Sequence, residues 1–410
     1  MNADPLDELP EAVALAAAME APFRRAGRRH PRRGTPQGWQ GLEAVPWSPN
    51  GFFHAADIDP ADRLDYHSGS VWPQDAASQL PVRLLEPLPG EIILDACAAP
   101  GSKSTQIGLA LGDDGLLICC DASRPRRQVL RETLARQGVA CGLVCPLALP
   151  RLGDWLAGVC DGVLVDAPCS GHRRRSGKQV ARQAERQLAI LLQAAELVRA
   201  GGRLVYSTCT PYRAENEGVI AAFLQARPGW SVAPRALPGV DADLDGLGAC
   251  RLWPQRQGTE PFFAIRLQAP AGDRPVSQRW RGELPPAAAW PESLVEVPDL
   301  HCWQRGEVLL AGSQQVAACA LPAEARGLLL GRRRSAQELR WECWAAQALL
   351  ERRCLPQAII THAAACRAWG GEAIDLQGAW AVTDAGAPLG WCDAGGRLRI
   401  PSALVRGGLI

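Results

Sequence analysis

The stretch Ile92-Ile93-Leu94-Asp95-Ala96-Cys97-Ala98-Ala99-Pro100-Gly101-Ser102-Lys103-Ser104-Thr105-Gln106 runs from an apolar segment ending in an acid, through a small-residue turn, into a segment that can go helical. Strand, loop and helix in that order make the first βα unit of a nucleotide-binding sheet. Ala98, Ala99 and Gly101 carry no bulk, so the backbone can approach a ligand closely. Pro100 stiffens the turn, and Ser102 or Ser104 is placed to cap the helix that follows. The turn from Cys97 to Lys103 is therefore the expected seat of a cofactor. The fingerprint G-x-G-x-x-G is absent, which disfavours NAD and FAD. An acid ending the second strand, Asp121 after Ile118-Cys119-Cys120, suits a nucleoside without a pyrophosphate. S-adenosylmethionine is the candidate this points to.

Outward from that unit the alternation continues. Residues 115–120 form a second strand, 124–137 a helix with Val129, Leu130 and Leu134 at helical spacing, and 142–145 a third strand. Residues 161–166 form a fourth strand, 188–197 an apolar helix and 202–206 a fifth strand. Strands alternating with helices mean an α/β fold with a mostly parallel sheet. Before it, residues 9–26 form a short amphipathic helix, and 28–38 are too rich in Arg, Pro and Gly for a regular element, which predicts a basic, exposed arm. After it, residues 271–296 are dense in Pro, Arg and Gly and read as a linker to a small α+β module with a helix over 339–350.

Composition bounds the class. A chain of 410 residues, 47% hydrophobic and 21% charged, is expected to fold as two or three globular domains. No apolar run approaches the roughly 20 residues of a membrane span, and the acidic start is not a signal peptide, so a cytoplasmic location is expected. The 15 cysteines are scattered without paired Cys/His spacing, which argues against a disulfide framework or a metal site. Net charge is +1, yet arginines cluster at 24–33, 173–175 and 332–334, blocks that can bind phosphates.

The chemistry lies at two strand ends. Asp166-Ala167-Pro168-Cys169-Ser170-Gly171 follows the fourth strand and Ser207-Thr208-Cys209-Thr210-Pro211 the fifth. In an open parallel sheet, residues past the carboxyl ends of neighbouring strands converge on one crevice. Two thiols, the carboxylate of Asp166 and a methyl donor in one crevice suit methylation of a carbon that is not itself nucleophilic, such as cytosine C5. A thiolate adding to C6 turns C5 into an enamine carbon, and a carboxyl at the N3/N4 edge stabilises the developing charge. A second thiol can help release the product. Sequence chemistry leaves open which of Cys169 and Cys209 is the nucleophile.

The blocks LDACAAPGSKSTQI, LLICCDASRPRR, VLVDAPCSG, LVYSTCTPYRAENE and RLWPQRQGTEPFFA, in this order, resemble the motifs of the Nol/Nop/Sun family of RNA cytosine-C5 methyltransferases. The serine in APGSK, the block YHSGSVWPQDAASQLPV, and C-terminal LRWECWAAQALL and APLGWCDAGGRLRIPSALVRGG are similar to the members that act on bacterial 16S ribosomal RNA. The resemblance implies a Rossmann-like S-adenosylmethionine-dependent methyltransferase core, with an N-terminal extension and a C-terminal α+β PUA-like domain. The expected bounds are an RNA-binding extension over 1–75, the methyltransferase domain over 76–270, the linker over 271–296 and the PUA-like RNA-binding domain over 297–410. It implies Cys209 as nucleophile, Cys169 as the thiol that assists release, and Asp166 as the contact to the base. Cofactor binding falls to Cys97, Ala98, Ala99, Pro100, Gly101, Ser102, Lys103, Asp121 and Asp166. The implied partner is ribosomal RNA, free or in an assembled small subunit, with neither membrane nor metal involved.

The chain departs from the family pattern in places. Val144-Cys145-Pro146-Leu147 offers no acid to contact the adenine amino group, and His172 stands beside Arg173-Arg174-Arg175. Gln257 and Pro261 replace a histidine or acid and a glycine. The missing acid motivates a reading of another class, an RNA-binding ribosome-assembly factor with weakened catalysis. Another RNA as the methylated substrate is the third reading.

Overall fold

A computed structural model describes residues 5–33, 39, 42–172, 175–290 and 299–333, and beyond them 339–341, 348, 357–360, 379–383, 388–392 and 397–399. The first four strands, β1 (Ala26–Arg29), β2 (Glu43–Ala44), β3 (Gly51–Phe53) and β4 (Val71–Pro73), pair antiparallel in the order β2-β3-β1-β4. The helix Ala12–Glu20 precedes them, shorter than expected.

The central sheet is built from β5 (Ile92–Asp95), β6 (Leu116–Cys120), β7 (Gly142–Cys145), β8 (Cys160–Asp166), β9 (Val198–Thr208), β10 (Ser231–Val232), β11 (Asp241–Ala242), β12 (Cys250–Leu252) and β13 (Phe262–Gln268). Its order is β11-β12-β13-β9-β8-β5-β6-β7, with β10 beside β13. β7, β6, β5, β8 and β9 are parallel neighbours and β13 returns antiparallel to β9. The chain order reverses at β5, so the crevice at the carboxyl ends of β5 and β8 is the topological switch point where ligands bind in such sheets.

The strands are continuous apolar runs because helices cover both faces. Ile93, Leu94, Leu117, Ile118, Val163, Leu164, Val205, Phe263 and Ile265 are fully buried, each side chain contributing about 1.5–3 kcal/mol relative to exposure. Cys119, Cys120, Cys141, Cys145 and Cys160 are free thiols packed in the same core. On the helix Arg124–Arg136, Leu130 and Leu134 are buried, whereas Val129 is half exposed and outside the core.

The expected basic arm is corrected. Arg28 lies in β1 and is buried, its guanidinium donating to Gln74 Oε1 at 3.2 Å and Thr105 Oγ1 at 2.8 Å. Arg33 is also fully buried and donates to the carbonyls of Ser68 at 2.8 Å and Arg136 at 2.7 Å. Backbone and side-chain acceptors meet these guanidinium groups, so residues 28–33 fold onto the core instead of extending into water, and residues 34–38 of the expected arm lie outside the described residues.

Past residue 300 come β14 (His301–Arg305), β15 (Val308–Gly312), β16 (Ala325–Arg326), β17 (Leu328–Arg333) and β18 (Leu339–Trp341). β14, β15, β17 and β18 form an antiparallel sheet, while β16 pairs with β7 and extends the central sheet. The helix expected over 339–350 is replaced at its start by β18, and most of the rest lies outside the described residues. Four further strands, β19 (Gln357–Ile360), β20 (Ala379–Thr383), β21 (Pro388–Cys392) and β22 (Leu398–Arg399), form a separate sheet. No helix among the described residues is long and apolar enough to cross a membrane.

Candidate active site

β8 and β9 run side by side with Asp166 opposite Ser207, so the turns that follow them emerge together. Their two thiols meet, Cys169 Sγ lying 3.3 Å from Cys209 Sγ. The hydrogen bond between the sulfurs lowers the Cys169 thiol below its ordinary value and raises Cys209, which burial raises further.

Both turns are pinned from behind. Glu215 Oε2 accepts from the Ser170 N–H at 3.0 Å and from Gln187 Nε2 at 2.7 Å, and Gln187 also donates to the Pro168 carbonyl at 3.0 Å. On the other turn, Thr208 Oγ1 donates to Asn216 Oδ1 at 2.5 Å and Asn216 Nδ2 donates to the Thr210 carbonyl at 2.9 Å. Beneath them Arg251 and Glu217, both essentially inaccessible to solvent, form a two-pronged ion pair at 2.7 and 2.6 Å, and Arg251 also donates to the Pro211 carbonyl at 3.1 Å. Glu215, Asn216 and Glu217 come from the same RAENE segment, so one short motif braces both thiols.

Asp166 is equally fixed. Its Oδ2 accepts from Lys103 Nζ at 2.7 Å and its Oδ1 from Ser207 Oγ at 2.7 Å. Lys103 also donates to Ser78 Oγ at 2.9 Å. Burial pulls the Lys103 ammonium down, but Asp166 beside it and Asp95 nearby push harder, leaving it above its ordinary value. The lysine of the cofactor loop is thus placed at the thiol end of the crevice.

The rest of the loop lies between β5 and the helix Ser102–Leu111. Ala98 N–H donates to the Cys120 carbonyl at 2.8 Å, tying the loop to β6. The helix cap differs from expectation: Gly101 is the capping residue at φ +114°, and neither Ser102 nor Ser104 caps it. Ser102 Oγ accepts from Trp72 Nε1 at 3.2 Å, while Ser104 Oγ donates to Asp95 Oδ2 at 2.7 Å. The glycine is needed for packing as well as conformation, since a Cβ there would sit 2.9 Å from Thr133 Cγ2.

Asp95 and Asp121 supply the acceptors of this end. The second carboxylate oxygen of Asp95 is buried without a hydrogen-bond partner, and burial pushes its carboxyl up to about 7. Asp121 Oδ1 accepts from the Ser123 N–H at 2.9 Å, and its Oδ2 pairs with Arg126 at 3.2 Å. An orphaned buried acceptor and a second carboxylate one strand away fit a cationic nucleoside that brings an ammonium group and ribose hydroxyls. Cys97, packed between them, is pushed up to about 12 by burial and Asp95, which keeps it a neutral thiol.

All the expected site residues therefore gather along one crevice: the thiols and Asp166 at one end, the 97–103 loop through its middle, Asp121 at the other. Sequence reasoning missed Ser78, Ser207, Gln187, Glu215 and Glu260. The carboxyl of Glu260 lies within electrostatic reach of Lys103, Asp166 and Cys209, and burial raises it above its ordinary value. RAENE and GTEPFF were visible as motifs, but nothing in their spacing said what their acids touch. His172 packs edge-on against Phe23 with ring centroids 5.4 Å apart.

Comparison with known proteins agrees with this arrangement. A family model described as 16S rRNA methyltransferase RsmB/F matches residues 82–268. Ribosomal RNA small subunit methyltransferase F of Shewanella amazonensis is 33% identical over 254 residues, 58% of this chain and 54% of that protein. The protein of the same name from Aeromonas salmonicida is 34% identical over 254 residues, 57% of this chain and 53% of its own length. The chain thus spans about half the length of these relatives. The tRNA (cytosine(49)-C(5))-methyltransferase of Pyrococcus abyssi is 36% identical over 255 residues, 56% of this chain and 80% of that protein. Among solved structures, a methyltransferase homolog protein from Pyrococcus horikoshii superposes with a TM-score of 0.58 at 28% identity, covering 63% of this chain and 91% of that one. NSun6 from Pyrococcus horikoshii with SFG, at TM-score 0.57 and 21% identity over 63% of this chain and 94% of that one, shares the fold. With the motifs, the core fold and the Pyrococcus abyssi relative in agreement, the chain belongs to the family of RNA cytosine-C5 methyltransferases.

Proposed function

We propose that this protein methylates cytosine C5 in 16S ribosomal RNA, using S-adenosylmethionine and covalent catalysis by Cys209. The observation that carries the reading is the Cys169–Cys209 sulfur pair at 3.3 Å, beside an Asp166 locked by Lys103 and Ser207. The contact between the sulfurs holds the Cys169 thiol below its ordinary value, which suits it to take a proton in the release step. Cys209 adds as the thiolate to C6 of a base turned out of its stack, its own proton passing to solvent. Asp166, with Lys103 behind it, stabilises the charge that develops at the N3/N4 edge. Once C5 carries the methyl group, the Cys169 thiolate takes the C5 proton, the electrons of that bond re-form the C5–C6 double bond, and the C6–S bond breaks to release Cys209.

S-adenosylmethionine bound along the 97–103 loop supplies the methyl group. Asp121 would hold its ribose hydroxyls and Asp95 its ammonium group, with Arg126 giving up Asp121 as the ribose enters. Residues 1–75 and 297–410 are proposed to grip RNA, the latter as a PUA-like domain, and residues 271–296 to link that domain to the core. The ribosomal substrate implies a cytoplasmic location.

One observation favours a second substrate: the tRNA methyltransferase relative is matched over 80% of its length, against 54% for the ribosomal RNA enzyme. Free 16S RNA, assembled small subunits and transfer RNA, each incubated with protein and S-adenosylmethionine and analysed for 5-methylcytosine by mass spectrometry, decide between them. Methylation confined to 16S RNA or small subunits is expected, and it should be abolished in Cys209→Ala. Full activity of Cys209→Ala would overturn the mechanism, and modification of transfer RNA alone would overturn the substrate.

A further inference from the structure

A guanidinium group without a counter-ion lies where the N-terminal sheet meets the core. Arg28 is 3% exposed, and its Nε and Nη2 donate to the uncharged Gln74 and Thr105. No carboxylate pairs with it among the described residues, its Nη1 has no acceptor there, and burial pulls its guanidinium down to about 9. Holding a lone charge out of water is costly, so a buried cation of this kind is completed by an anion.

Arg28 lines a cavity of about 420 Å³ shared by three elements: the segment 48–50 that leads into β3, the helix Leu80–Leu85 and the helix Ser102–Leu111. A second guanidinium, that of Arg83, lines it too. Arg83 is half-buried, its Nε is shut off from water without an acceptor, and it makes no side-chain hydrogen bond or ion pair among the described residues. Ser48 and Asn50 add a hydroxyl and an amide to the wall. Glu86, the carboxylate in this wall, is already held by Arg235 and Arg266, the latter at 2.7 Å. The cavity is therefore positive, with both its arginines uncompensated.

One group in the wall asks for the opposite partner. Gln106 Nε2 donates to the Gln79 carbonyl at 3.2 Å, but its Oε1 is buried with no donor. A nucleotide unit of RNA meets both needs, because phosphate oxygens accept from guanidinium groups and a ribose 2′-hydroxyl donates. Asn50 and Leu88 in the wall are exposed, so a strand can enter from solvent.

We propose that this cavity is a phosphate site for the RNA backbone, with Arg28 and Arg83 donating to a phosphate and Gln106 accepting from a ribose hydroxyl. The proposal rests on RNA being the substrate and adds to it a contact lined by none of the residues of the thiol crevice. Such a contact positions the strand without reading its sequence.

The test measures binding of the full chain to small-subunit RNA over a range of salt concentrations. Arg83→Gln is expected to weaken binding and to lower the slope of log Kd against log salt by about 0.7 to 1, with Arg83→Lys closer to wild type. A second measurement needs no variant: phenylglyoxal labels accessible arginines of the wild type, and mass spectrometry reads the peptide that carries Arg83. RNA should slow that labelling several-fold. Arg83→Gln with the wild-type slope, or Arg83 labelled equally fast with and without RNA, overturns the assignment. Protection of Arg83 by inorganic phosphate but not by RNA overturns the backbone as the source of the phosphate. Assay of 5-methylcytosine with the same wild-type protein keeps the two readings apart. RNA that is methylated while Arg83 stays unprotected defeats this site alone, whereas RNA neither bound nor methylated defeats the substrate reading and this site with it.

Discussion

Cys169 and Cys209 stand 3.3 Å apart, and the strand ends that bring the thiols together were legible because parallel neighbours deliver their next residues to one crevice. Ser207 and Ser78 were not legible, since each acts through a partner far away in sequence. The arginines of 28–33 show the converse error: a run of cations reads as solvated, but Arg28 and Arg33 are buried where hydroxyl, amide and carbonyl oxygens await them. Asp95 gives the residue scale its own prediction. Burial holds its carboxyl at about 7, well above its ordinary value of 3.8, so the folded protein keeps a proton that the unfolded chain releases. Its contribution to stability is therefore full below about pH 4 and is lost as pH rises through about 7. Asp95→Asn cannot ionise, and its melting temperature should fall less between pH 5 and 8 than that of wild type. Parallel pH profiles for the two proteins would show that Asp95 does not titrate there.

Among the elements, the β5 loop and the strands from β6 to β9 follow from apolar runs punctuated by Gly, Pro and Asp, and their bounds fall within a few residues of expectation. The helix expected over 188–197 instead spans Gly177–Ala195, opened by a reciprocal cap between Ser176 and Gln179. That S-x-x-Q signal was present in the sequence but preceded a polar first turn, and apolar periodicity alone starts the helix too late. The extra length matters, because it carries Gln187 to the back of the Cys169 turn. Below the turns that carry Cys169 and Cys209, the Arg251–Glu217 pair joins β12 to the RAENE segment. Arg251→Met removes the cation and leaves a carboxylate in the core, which should cost about 3–5 kcal/mol in urea unfolding. A loss under about 1 kcal/mol would mean that the pair is not needed to brace the turns.

Over the whole molecule, the piece least visible in the sequence is the two-residue strand β16, which pairs with β7 and covers that edge of the central sheet. Arg127 joins the contact, its guanidinium gripping Glu324 at 2.9 and 3.1 Å, and Ser313 Oγ donates to the Gly115 carbonyl at 2.6 Å. Such pairing across nearly two hundred residues leaves no local pattern to read. The N-terminal sheet meets the helix that follows the 97–103 loop, through Arg28 to Thr105 and Trp72 to Ser102, while β16 closes the β7 edge. The account turns on Cys209 forming a covalent bond to RNA that Cys169 helps to break. The direct measurement is mass spectrometry of Cys169→Ala incubated with S-adenosylmethionine and small-subunit RNA, followed by digestion to find the joined peptide and nucleotide. The account predicts a protein–RNA adduct that survives denaturation, attached through Cys209 to a 5-methylated cytosine. Turnover at the wild-type rate with no adduct, or attachment through any other residue, would contradict it.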